Sequence, residues 1–348
     1  MTFAEKQADI RAKWLKLLGG MPERRPSADA KILLEEDGDG YRKVKVSLAG
    51  DIDHADDRIT GWLLLPKGAE GPLPLILALH STTCGCGKDL TIGEPERTFS
   101  LTPAFKAMGE QMLRNRGFAR DFAQAGYAVF APDIYGDGER REAGHRPCET
   151  TTFYQRHPDW SLVGKAIYDN MIAIDWLTTL PEIDAARIGV VGHSLGGHSA
   201  VFLGGLDARV GAVCTNGGCT VFRKYMEHWA RTPLPPELVA TQPPVYIYIP
   251  GFRPYMSHSE IPNPVDFGDI MGLVAPRPLL YGGAINNQGT PGFVEVYQET
   301  WDKAAQLYAE SGAPDALDYN IYPGTHDFPP KARQATIAWF DRVLKKTR

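Results

Sequence analysis

The sequence predicts an α/β protein with a mostly parallel central sheet covered by helices on both faces. Three observations carry that expectation. Short apolar runs bounded by turn residues recur along the chain, as in LPLILAL at 73–79, YAVFAP at 127–132 and IGVVG at 188–192; such runs read as strands buried on both faces. Segments with helical spacing lie between them, for example 162–180 and the small-residue stretch GGHSAVFLGGL that begins at Gly196. Regular alternation of the two kinds is the pattern of parallel strands joined by crossover helices.

Taken in order, residues 3–18 place Phe3, Ile10, Trp14, Leu17 and Leu18 near one helical face, and Gly19-Gly20 stop the helix. Residues 1–40 therefore read as an N-terminal helical extension outside the core, serving either a dimer contact or a cover for the core, ahead of one α/β domain at 41–348. The segment 41–48 (YRKVKVSL) alternates like an exposed strand, 59–65 (ITGWLLL) forms another, and 73–79 is the first buried strand. A Gly-rich loop and a helix through 105–125 lead to the strand at 127–132, followed by DIYGDGERREAGH, a loop dense in charge and glycine. The helix at 162–180 precedes PEIDAARIGVVG, which enters the next strand. Further apolar runs fall at Val210–Cys214, Pro278–Tyr281 and Asp318–Tyr322, and the chain closes with an amphipathic helix ending FDRVLKK. Residues 220–270, rich in proline and aromatic residues (PPVYIYIPGFRPY), break this rhythm. They read as an insertion over the carboxyl ends of the strands, where such sheets bind ligands.

Composition excludes several classes of function. At 348 residues, one large domain is a better reading than two equal ones. The 37 basic and 42 acidic side chains give a net charge of −5, and no Lys/Arg cluster points to nucleic acid or a membrane surface. A small neutral or mildly polar molecule is the expected partner. MTFAEKQADIRAKWLKLLGG mixes charges through its apolar positions, so it lacks the apolar core of a secretion signal. No stretch approaches the roughly 18 apolar residues needed to span a bilayer. The five cysteines, Cys84, Cys86, Cys148, Cys214 and Cys219, include no CxxC pair and no histidine at zinc-finger spacing, which argues against a disulfide framework or structural metal. The cytoplasm is the expected compartment, although a trimmed export signal would leave the same sequence, and no cofactor is expected.

The chemistry concentrates at Gly192-His193-Ser194-Leu195-Gly196, a G-x-S-x-G motif with a strand before it and a helix after it. Flanking glycines allow a tight turn that lifts the Ser194 hydroxyl above the sheet, while the helix start directs free N–H groups toward a developing oxyanion. The Leu195 N–H is one such donor. A serine hydroxyl needs a base to take its proton, and His326 in NIYPGTHDF, after the last strand and before the last helix, is the best placed of nine histidines. His193 points away from the nucleophile at such a turn and reads as a packing residue; His54, His145, His157, His228 and His258 read as solvated or substrate-facing. The second oxyanion donor is expected after the 73–79 strand, from the N–H of Ser81 or of Thr82. Cys84-Gly85-Cys86-Gly87 extends that loop as a tight turn with thiols.

Over 40–348 the chain resembles α/β-hydrolases of the dienelactone-hydrolase and acetyl-xylan-esterase-like group. The matching pieces are ALHSTTCGCGKD, FAQAGYAVFAPDIYGDGER, AIDWLTTLPEIDAARIGVVGHSLGG, DIMGLVAPRPLL and YPGTHDF. The resemblance implies the α/β-hydrolase fold with an insertion over the active site, a Ser194–His326 pair, and the chain order Ser then His. It also implies an Asp after the family's seventh strand, four residues before a proline. Here that position is Asn287, in YGGAINNQGTPGFVEVY, and no carboxylate lies between Pro278 and Phe293. Asn287 or Asn286 could orient His326 through an amide carbonyl, as in Cys–His–Asn enzymes, without stabilising its charge. Glu295, Asp266 and Asp269 are the alternative acids, each with an ordinary surface role as its competing reading. Relatives of glucuronoyl esterase type place a Glu after the sixth strand, but CTNGGCTVF supplies none.

The expected activity is serine-dependent carboxylic ester hydrolysis through an acyl-enzyme, with short acyl groups on carbohydrates ahead of lactones such as dienelactones, or peptide bonds. Tyr246, Tyr248, Phe252, Tyr255 and Trp229 would suit stacking on a sugar or aromatic acyl group if they line the mouth, and would form the insertion's own core otherwise. A hydrolase-fold binding protein with weak or no catalysis is the competing class, raised by the missing family carboxylate. A homo-oligomer is compatible with the N-terminal helix.

Overall fold

The structure, a computed structural model, describes residues 1–82, 85–97, 116–145, 149–222, 248–255, 260–286 and 293–345. Among these, nine strands form one sheet: β1 (Lys31–Asp37), β2 (Tyr41–Ala49), β3 (Arg58–Pro66), β4 (Leu73–Leu79), β5 (Ala128–Pro132), β6 (Ile183–His193), β7 (Val210–Asn216), β8 (Leu279–Ala284) and β9 (Leu317–Tyr322). Their spatial order is β1-β2-β3-β5-β4-β6-β7-β8-β9. The first three strands join antiparallel, β3 also pairs antiparallel with β5, and every pair from β5 through β4 to β9 is parallel. The most apolar runs occupy the middle of this parallel part: β4 and β5 are buried along nearly their whole lengths. Strands covered on both faces need apolar side chains on both.

Helices supply the two covers. One face packs α1 (Phe3–Leu17), α5 (Leu162–Leu177), α6 (Leu195–Leu206), α7 (Phe267–Gly272) and α8 (Phe293–Glu310) into the larger apolar cluster. The other is closed by α3 (Ala119–Gln124) and α9 (Pro330–Phe340), with Phe118, Phe122, Trp339 and Phe340. Between these elements lie the short helices α2 (Gly87–Thr91) and α4 (Thr151–Arg156).

Two sequence expectations need correction. The N-terminal helix is not outside the core: Trp14 is fully buried, 4.7 Å from the Phe202 ring and 6.0 Å from Phe222. Removing a ring so placed costs about 3–5 kcal/mol, so α1 covers the core of the domain. Lys31–Asp37, assigned to the extension, instead forms the edge strand β1 against β2. Its KILLEED sequence is exposed almost throughout, so no burial pattern marks it. Of the two readings of the insertion's aromatic residues, the core one holds for Tyr248 and Phe252, which are buried; Tyr255 is half-buried, and the Phe252 ring lies tilted 4.4 Å from Phe222. Tyr246 and Trp229 lie outside the described residues. The 18-residue helix α8 was not anticipated at all. Among the described residues, no helix is long and apolar enough to cross a membrane.

Candidate active site

Ser194 stands at the junction of β6 and α6 with φ 56° and ψ −118°, a conformation that costs a non-glycine residue energy and persists only where its surroundings enforce it. Two glycines supply the enforcement. A Cβ on Gly192 would come 2.0 Å from the Gly196 carbonyl oxygen, and one on Gly196 would come 2.0 Å from the Leu79 carbonyl oxygen. The elbow therefore closes on itself and packs against the end of β4, which brings the loop after β4 beside the start of α6. The Ser194 N–H donates to the Asn216 carbonyl at 2.8 Å, tying the elbow to the end of β7.

The loop following β9 carries His326 to this serine, with Nε2 2.8 Å from Ser194 Oγ. Burial first, and then the Arg116 guanidinium, push the imidazole down to about 4, so it is neutral and able to accept a proton at ordinary pH. His193 lies beneath it, ring centroids 4.8 Å apart, and is fully buried; its pKa falls well below the usual range through desolvation and then its neighbour His326. His193 Nδ1 bonds Asn216 Oδ1 at 2.8 Å, while Asn216 Nδ2 donates to the Tyr322 hydroxyl at 2.8 Å and Tyr322 donates to the Asp327 carbonyl. His193 is thus a packing residue, as its place in the motif predicts, and it holds Asn216, which through Tyr322 ties β7 to the loop that carries His326.

On the opposite side, the loop after β4 is held at both ends. The Ile134 N–H donates to His80 Nε2 at 3.1 Å, so His80 carries its proton on Nδ1 and donates it to the Ser81 carbonyl at 2.7 Å. That bond fixes the plane of the Ser81–Thr82 peptide, because a trans peptide points its N–H opposite to its carbonyl. Ser81 is buried, and its hydroxyl oxygen lies 3.2 Å from Arg116 Nη1. Farther along, the fully buried Lys88 binds Asp133 and Glu139, each at 2.7 Å. Burial opposes the Lys88 charge, but Asp133 and its other acidic neighbours outweigh it and raise the pKa. Asp89 accepts from the Trp62 indole at 2.7 Å and is pushed up to about 6 chiefly by burial. A second buried group, Arg140 with Asp57 and Asp169 at 2.6 Å each and Lys165 with Asp57 at 2.7 Å, fixes the loop after β5.

The family acid position, Asn287, lies outside the described residues. The residue before it, Asn286, has an exposed side chain, and its N–H donates to the Gly324 carbonyl at 3.1 Å; the loop after β8 therefore runs beside the loop bearing His326. The alternative acids sit elsewhere. Asp266 and Asp269 form a capping box at the start of α7, and Asp266 also accepts from the Phe222 N–H at 2.7 Å. Glu295 is exposed in the first turn of α8. Arg116, buried beside the site, was not singled out in the sequence, where it is one arginine in NRGFARDF with no spacing signature. No group of three or more His, Cys, Asp or Glu that could hold a metal occurs among the described residues.

A strained serine between β6 and α6, a histidine after β9 and this strand order are a specific combination, and comparisons with known proteins agree with it. Residues 106–232 match the dienelactone hydrolase family. The chain has the α/β-hydrolase fold, and over that segment it is similar to the dienelactone hydrolase family. It is 26% identical over 313 residues to YtaP of Bacillus subtilis (strain 168), named as a hydrolase, covering 89% of this chain and 90% of that protein. Carbohydrate esterase MZ0003, from an unknown prokaryotic organism, is 23% identical over 202 residues, which is 53% of this chain and 45% of the relative. Among solved structures, a glucuronoyl esterase from Solibacter usitatus superposes with a TM-score of 0.70 at 19% identity, covering 96% of this chain and 91% of that one. At that identity the likeness speaks for the fold.

Proposed function

We propose that the protein is a serine-dependent carboxylic ester hydrolase acting on acyl esters of carbohydrates. The observation that carries the reading is the 2.8 Å contact between His326 Nε2 and the hydroxyl of a strained Ser194. Ser194 Oγ attacks the ester carbonyl carbon as its proton passes to His326 Nε2. The carbonyl oxygen becomes an oxyanion facing the N–H of Leu195 and a donor from the Ser81–Thr82 segment. Collapse expels the alcohol, protonated by His326, and leaves an acyl-enzyme. Water then attacks with His326 again as base, releasing the acid and free Ser194.

Asn287 is the proposed orienting partner of His326, in place of the family carboxylate. The carbohydrate part of the reading draws on the named activities of MZ0003 and of the Solibacter enzyme. A reducing compartment accords with Cys214 and Cys219, buried thiols whose pKa values burial pushes up, Cys214 to about 12.

The test compares wild type with Ser194→Ala on p-nitrophenyl acetate, on an acetylated xylo-oligosaccharide and on a methyl glucuronate ester. Turnover lost in the variant is expected on at least one of them. Turnover of the sugar esters at no more than the variant's rate, alongside serine-dependent cleavage of the activated acetate, would remove the carbohydrate assignment and keep the esterase. Identical background rates on all three would overturn both.

A further inference from the structure

The loop after β4 is held from a side that the hydrolase reading leaves unassigned. Arg116 is buried, and its Nη1 lies 3.2 Å from Ser81 Oγ and 3.5 Å from the Thr82 carbonyl oxygen. Its backbone has little room to move: a Cβ on the next residue, Gly117, would come 2.8 Å from Gly93 Cα. The chain entering α3 is thereby clamped against the turn after α2, and the guanidinium reaches the peptides that line the oxyanion side from a fixed base.

We infer that Arg116 is the positioning and electrostatic arm of the oxyanion site, holding the Ser81–Thr82 segment in place and keeping a permanent positive charge beside Ser194. This rests on the esterase reading. In that reaction a neutral serine–histidine pair becomes an oxyanion and an imidazolium. A fixed cation seated on the oxyanion side favours that separation, and does so strongly where water is excluded. Its cost falls on the imidazolium, and the depressed pKa of His326, to which Arg116 contributes after burial, is the visible sign of it. Arginine suits the task because its guanidinium stays protonated under all working conditions, and its Nη1 reaches both oxygen acceptors.

Several titratable groups of the described residues lie around His326. Arg116 acts on it from the segment before α3 and His193 from the end of β6, while Tyr322 at the end of β9 bonds the next residue of its loop, Asp327. Of these, Arg116 carries the positive charge at neutral pH, since burial holds His193 neutral.

The experiment compares wild type with Arg116→Met, Arg116→Gln and Arg116→Lys, reading kcat, KM and the pH dependence of kcat/KM. The methionine variant is expected to lose about 10- to 100-fold in kcat with KM nearly unchanged. Its acid limb should move up from near 4, while burial, the larger cause, still holds it below the ordinary histidine range of about 6.5. Lysine should keep the limb where it is and recover part of kcat. If Arg116→Met does not fold, Arg116→Gln, which keeps a polar end but carries no charge, must show the same two changes. Wild-type kcat and an unmoved limb in either folded neutral variant would overturn the inference. Titration of His326 by NMR reads the same charge without turnover: an unshifted His326 in Arg116→Gln also overturns it. A shifted one in a protein that hydrolyses no ester upholds the electrostatic role and rejects the esterase reading instead.

Discussion

Two buried polar assemblies meet at the carboxyl ends of the central strands, and they answer the cost of desolvation in opposite ways. Around α2 and the loop after β5, the charges stay charged: Lys88 sits between Asp133 and Glu139, and Arg140 between Asp57 and Asp169. Opposite charges hold the pKa of Asp133 and Asp57 below the usual range although burial pushes the other way. At the nucleophile, His193 is fully buried and His326 half-buried, and burial first, then the charges beside them, keeps both neutral. Paired ions make a rigid frame, because separating them strands a charge in the interior. A neutral imidazole can take up a proton during reaction and give it back. The fold thus puts stiffness and reactivity in adjoining loops.

The sharpest contrast comes from removing the reactive member. His326→Gln should reduce kcat by about three orders of magnitude or more while leaving the urea midpoint near that of wild type, because it removes a base and no ion pair. A comparable loss of stability would show that the imidazole belongs to the frame.

Lys88→Met attacks the frame instead. It leaves Asp133 buried without its main counter-ion and should cost about 3–5 kcal/mol in denaturant unfolding. Adding Asp133→Asn should return much of that loss, since the stranded charge goes with it. Stability unchanged in the single variant would mean that the cluster is not a frame.

Acid separates the two assemblies without mutation. His326 is depressed from about 6.5 in the unfolded chain to about 4 in the folded one. A group so depressed contributes stability that is fully present above pH about 6.5 and is lost as pH falls toward about 4. Stability should therefore decline across that window in wild type and less steeply in His326→Gln, as read by urea midpoints at successive pH values. The acid limb of kcat/KM should fall near 4. A limb near 6.5 would mean that the site is wetter than its geometry implies.

Legibility in the sequence follows the same division. The parallel strands were readable because burial on both faces writes an unbroken apolar run, as in LPLILAL, and the elbow was readable because Gly192 and Gly196 are demanded by backbone approach. The Ser194–His326 pairing followed from chain order and the resemblance. The edge strand β1 was not readable, because an exposed strand carries no burial pattern. The frame was also hidden: Lys88, Asp133, Glu139 and Arg140 stand in two loops far apart in sequence, where each looks like an ordinary solvated charge. Arg116 was missed for the same reason, since its partners Ser81 and Thr82 come from another loop.

Asp266 tests where the boundary between frame and reactive site runs. It was one of the alternative acids, yet it caps α7 and accepts from the N–H groups of Phe222 and Phe267 at 2.7 Å each. Burial pushes it up to about 6, a value that in isolation would resemble a tuned catalytic group. The bonds argue otherwise, because both donors are backbone N–H groups, one in the cap itself and one in the segment that follows β7. Asp266→Ala should therefore cost about 1 kcal/mol of stability, the usual worth of a helix cap, and should leave kcat within a few-fold of wild type. Loss of kcat at intact stability would move Asp266 from the frame to the triad, and Asn287 would then lose its proposed place beside His326.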